Sequence, residues 1–149
     1  MSEEPIWPHP HVVVGVDGSD AAQRALVWAA DYVSKAGGTV HAVLAWHHDP
    51  VPVGPGVLPV PSYDAEEAAA RLLQDAVDAL GHRPAYLRQS VVGGNAARVL
   101  LEQSSHADLL VVGNRGRGGF AGLLLGSVST QCVHHATCPV VVIPRERGR

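Results

Sequence analysis

The chain has 149 residues, 46% of them hydrophobic and 17% charged, enough for one ordinary domain whose core needs no staples. A formal charge of −3 argues against a generic nucleic-acid or anionic-membrane surface, because such partners select a clustered excess of Lys and Arg. Two cysteines, Cys132 and Cys138, are too few for a disulfide framework and lack zinc-ligand spacing, so they read as free thiols and small buried hydrophobes.

The opening MSEEPIWPHP is acidic and proline-broken where a secretory signal is basic and then apolar, and no apolar run approaches the ~20 residues of a membrane span. The expectation is a cytoplasmic protein with a loose tail over residues 1–10 and a single domain over 11–149. His11 to Val16 (HVVVGV) is a β-branched run stopped by Asp17-Gly18-Ser19, the pattern of a strand buried on both faces. Ser19 or Asp20 can cap a helix in which Ala22, Leu26, Ala29, Ala30 and Val33 recur at helical spacing, until Gly37-Gly38 stops it. Thr39 to Trp46 (TVHAVLAW) is a second strand.

Asp49 to Ser62 holds five prolines and two glycines, which can supply neither ladder donors nor a helix interior. It is predicted to be an exposed loop, placed to hang over a site at the end of the second strand. Ser62 to Leu80 carries an apolar stripe from Ala65 to Leu80 and is the clearest helix. A strand over Ala85 to Val92, a short helix over Ala96 to Ser104 and a strand over Asp108 to Val112 follow. The last helix is expected from Gly126 to about His135, and the last strand over Pro139 to Ile143. Strict β/α alternation with apolar strands implies a doubly covered parallel sheet, and right-handed crossovers favour the half-Rossmann order 3-2-1-4-5. Ligands bind such sheets in the crevice beyond the carboxyl ends of strands one and four.

The segment Val111 to Ser127, VVGNRGRGGFAGLLLGS, carries six glycines where that crevice should open. Glycines let backbone N–H groups converge on an anion, and the helix starting at Gly126-Ser127 adds free N–H groups and a positive dipole end. No GxxxxGK[ST] exists, and the first strand ends in GVDGSDA rather than GxGxxG, so neither the P-loop nor the dinucleotide fingerprint applies. Asp17 reads equally as an Asx turn or cap and as a ligand contact, and the two are compatible. Of the His47-His48-Asp49 and His134-His135 clusters, the second is expected to divide into one exposed and one interfacial residue, and neither reads as a metal site.

The spacing Gly113-x2-Gly116-x9-Gly126-Ser127, with GVDGS near the start and CPVVVIP at the end, resembles the universal stress protein family over His11 to Pro144. The resemblance implies a Rossmann-like homodimer, paired through Pro139 to Ile143, of the class that binds ATP, with Mg²⁺ carried by the nucleotide. Asp17 is similar to the family aspartate at the adenine and ribose end, and Ala45 to the position whose backbone reads adenine. Val112 and Gly113 would lie along the ribose, and Gly116, Arg117, Gly126, Ser127 and Val128 around the phosphates. No positioned base for phosphoryl transfer is visible, so a regulatory binding module is expected ahead of a catalyst. Alternatives left open are a slow ATPase or phosphoryl- or nucleotidyl-transfer enzyme, and a binder of another adenine ligand such as cyclic AMP.

Overall fold

The computed structural model describes residues 9–47, 55–56, 63–81, 83–115 and 125–146. Among these residues nine elements alternate: β1 (His11–Gly15), α1 (Asp20–Ala36), β2 (Thr39–Trp46), α2 (Tyr63–Asp78), β3 (Leu87–Gly93), α3 (Ala96–Gln103), β4 (Leu109–Gly113), α4 (Ser127–His135) and β5 (Val140–Ile143). Five strands form one parallel sheet in the order β3-β2-β1-β4-β5, as the alternation implied. Val13 lies between His41 of β2 and Leu110 of β4, while Val111 pairs with Val141 on the outer strand.

Because neighbouring side chains on a strand point to opposite faces, the apolar runs divide between two cores. Val12, Val14, Val40 and Val111 pack beneath α1 and α2 with Leu26, Val33, Leu73 and Val77. Val13, Val43, Leu110 and Val112 face α3 and α4 with Val99, Leu100 and Cys132. Full burial of each Val or Leu side chain stabilises the fold by roughly 1.5–3 kcal/mol, so doubly covered β1 and β4 anchor the sheet. The ends of α1 follow local chemistry. Ser19 caps it by accepting from the Ala22 N–H, and Gly37 closes it in the left-handed region at φ 79°.

The second core contains an unexpected polar group. His41, on the central part of β2, is 2% exposed, and its Nε2 lies 2.7 Å from the Ser90 hydroxyl of β3. Its ring stacks on that of His11, with centroids 6.3 Å apart. Burial, then the positive Arg88, then His11 pull its pKa from 6.5 to about 4, so it is neutral when folded at neutral pH. Two smaller expectations also change. His134 and His135 are both exposed, because α4 turns Ser129 and Cys132 inward instead. Cys138 is only partly buried, whereas Cys132 is fully buried. The expected loop Asp49–Ser62 lies outside the described residues apart from Pro55 and Gly56.

Candidate functional site

At the carboxyl ends of the neighbouring strands β1 and β4 the chain leaves in opposite directions, to α1 on one face and, by way of residues 114–126, to α4 on the other. A cleft of about 840 Å³ opens there. That volume is in the range of small-molecule sites.

The β1 wall is built by a tight turn. Asp17 Oδ1 accepts from the Ser19 N–H at 2.8 Å and from the Ser19 hydroxyl at 2.5 Å, while Ser19 Oγ accepts from the Ala22 N–H at 3.2 Å. Asp17 therefore makes the Asx turn that starts α1, and it lines the cleft as well. From β2 come Val43 and Ala45, which share the face that looks toward α3, followed by His47.

The third wall joins β4 to α4. Val112, Gly113, Gly126, Ser127 and Val128 all line the cleft. A Cβ on Gly113 would sit 2.8 Å from the Ala21 carbonyl carbon and 2.9 Å from the Ala22 nitrogen, both backbone atoms. Gly113 is thus required by the approach of β4 to the first turn of α1. Gly126 is different. It caps α4 at φ −75° and ψ 175°, an extended conformation open to any residue, and among the described residues no side chain caps the helix. Among the described residues no side-chain acceptor is found for the N–H groups of that first turn, and with the helix dipole they make a favourable place for an anion.

Seven of the nine residues expected at the site therefore meet in one cleft: Asp17, Ala45, Val112, Gly113, Gly126, Ser127 and Val128. Gly116 and Arg117 lie outside the described residues. The cleft also takes in Arg115, His47, Ser19 and Ser129, of which Ser19 carries a capping signal and His47 belongs to the cluster not read as a metal site. Arg115 adds a positive charge to a cleft whose one carboxylate among the described lining residues is Asp17. No thiolate is available nearby. Cys132 is fully buried in the core under α4, and burial, with Cys138 as a smaller cause, pushes its thiol up to about 11. Among the described residues, no three His, Cys, Asp or Glu side chains gather as a metal site.

Comparison with known proteins gives one consistent result. The sequence pattern of the universal stress protein family matches residues 9–144. A universal stress protein of Mycobacterium tuberculosis is 37% identical over 148 residues, covering 94% of this chain and 48% of that protein. The chain thus spans about half the length of the curated relatives it matches. The structure of universal stress protein UspA from Lactobacillus plantarum aligns with a TM-score of 0.71 at 23% identity, covering 92% of this chain and 99% of that one. A universal stress protein solved in complex with cAMP aligns with a TM-score of 0.62 at 27% identity, covering 94% and 100%.

Proposed function

This chain belongs to the universal stress protein family, and from that premise we propose that it binds ATP in the β1–β4 cleft and acts as a nucleotide-dependent regulatory module in a stress response. Support comes from the meeting, in one cleft, of Asp17 on one wall with Arg115 and the first turn of α4, which no side chain caps among the described residues, on the other. In this proposal Asp17 and Ala45 hold adenine and ribose, and Val112 and Gly113 run along the ribose. The α4 terminus, Gly126 to Val128, takes the phosphates together with Gly116 and Arg117. The phosphates bring their own Mg²⁺, whose remaining ligands can be water.

Binding is favoured over turnover. Phosphoryl transfer needs a positioned base or water-orienting group, and Asp17, the one described carboxylate of the cleft, is engaged by Ser19. Cyclic AMP is the second reading, favoured by the 27% identical neighbour solved with that ligand. The proposal extends to a homodimer through the Pro139–Ile143 segment. Val140 to Ile143 form the outer strand, apolar yet only half-buried, and antiparallel pairing with a second copy would cover them. It further takes residues 11–149 as one domain, in the cytoplasm, without nucleic-acid or membrane partners. No helix among the described residues is long and apolar enough to cross a membrane.

Thermal unfolding with ATP, ADP, AMP and cyclic AMP tests the ligand. At 100 times its Kd, ATP should add about 2.7 kcal/mol to the unfolding free energy and raise Tm by roughly 5–10 °C. A shift with cyclic AMP alone would favour the second reading, and an unmoved Tm with all four would reject nucleotide binding.

A further inference from the structure

Asn114, the first residue past β4, is held from three directions. Its N–H donates to the Ile143 carbonyl at the end of β5 at 2.8 Å, and its carbonyl accepts from the Gly126 N–H at 2.6 Å and from the Ser129 hydroxyl at 2.8 Å. Its side-chain Oδ1 accepts from the Arg145 N–H at 3.2 Å. The buried Ser129 hydroxyl also lies 3.1 Å from the Gly126 carbonyl, so the start of α4 and the end of β4 form one hydrogen-bonded unit.

The groups on either side of Asn114 belong to different surfaces. Gly126 and Ser129 line the cleft. Ile143 and Arg145 line a second groove, also about 840 Å³, together with the exposed Val27 and Trp28 of α1. We propose that Asn114 is a positioning residue that carries occupancy of the cleft to the end of β5, so that a nucleotide at the α4 terminus is sensed at the groove beside Trp28.

This inference rests on the nucleotide reading above. Phosphates that fix the first-turn N–H groups of α4 also fix Gly126 and Ser129, and through their two bonds the Asn114 carbonyl. Backbone and side chain of Asn114 then move as one, and the exposed bond to Arg145, beyond the last rung of the β4–β5 ladder at Gly113 and Ile143, opens less often. Asn suits the position because its short side chain brings an acceptor to a nearby backbone N–H, which Ala cannot do.

Residue-resolved amide exchange and the Trp28 indole resonance, each with and without saturating ATP, test the proposal. In the wild type, ATP should slow exchange at Arg145 about tenfold and shift the Trp28 resonance. Asn114→Ala should still bind ATP, more weakly, and lose the ATP-dependent change at both positions. Asn114→Asp, which keeps the acceptor oxygen, should retain it at saturation. A merely structural Asn114 predicts that Asn114→Ala keeps the ATP-dependent Trp28 shift, and that result would overturn the proposal. Wild-type protein that binds ATP with Arg145 and Trp28 unchanged would overturn it too, whether or not Asn114→Ala folds. If the wild type binds no nucleotide at all, the nucleotide reading fails and this inference fails with it.

Discussion

Gly126→Val is expected to leave the protein folded and to cost about a hundredfold in ATP affinity, or ~2.7 kcal/mol. The extended backbone at Gly126 accepts a β-branched residue, and the N-cap position there has no side-chain hydrogen bond to lose. The penalty to the fold should therefore stay within about 1 kcal/mol. What valine adds is a side chain at the α4 N-terminus, in the space through which phosphates must approach the first-turn N–H groups. Calorimetric titration with ATP, beside a thermal scan of the free variant, separates the two effects. The matching change at Gly113 serves as the control. There a Cβ meets the α1 backbone, so Gly113→Val should lower Tm before any ligand is added. Unchanged ATP affinity in folded Gly126→Val protein would place the phosphates elsewhere.

Acid should weaken the fold through His41. Its pKa is depressed on folding, from 6.5 to about 4, so the unfolded chain binds the proton that the folded one refuses. The resulting stability is fully present above pH 6.5 and is lost as the pH falls toward 4. Burial sets most of the shift, with Arg88 and then His11, on the strands flanking β2, as smaller causes, while Ser90 holds the ring in place. Between pH 7 and pH 4 the loss from this one group is about 3 kcal/mol. Urea unfolding of wild type and His41→Gln over that range isolates it. Glutamine can still reach Ser90 but does not titrate, so the wild type should lose about 3 kcal/mol relative to the variant. Parallel acid limbs in the two proteins would remove His41 as the cause.

The sheet order was legible because apolar β-branched runs alternate with helical stripes, a pattern that few right-handed topologies satisfy. His41 was not legible for the same reason that β2 was easy to find. A strand buried on both faces has no polar alternation, so a histidine within it carries no mark of its depth. Of the glycine segment, its two described glycines, Gly113 and Gly126, were legible in position and less so in cause. Gly113 and Gly126 belong to one spacing, yet Gly113 serves the packing of β4 on α1, while Gly126 caps α4 in an extended conformation that does not itself call for glycine. Asn114 carried no signal, because its partners Arg145 and Ile143 lie some thirty residues away and meet it only once β5 has joined β4. Arg115 and His47 stood beside motif positions, and only the folded cleft gathers them with Asp17.

The most direct measurement is an amide chemical-shift titration of the full chain with ATP. Perturbations should saturate with one Kd and gather on Asp17, Ala45, Val112, Gly113 and Gly126 to Val128, the residues that meet at the β1–β4 cleft. Shifts centred instead on Val27, Trp28 and the end of β5, with the cleft unmoved, would contradict it, as would no saturable shift at all.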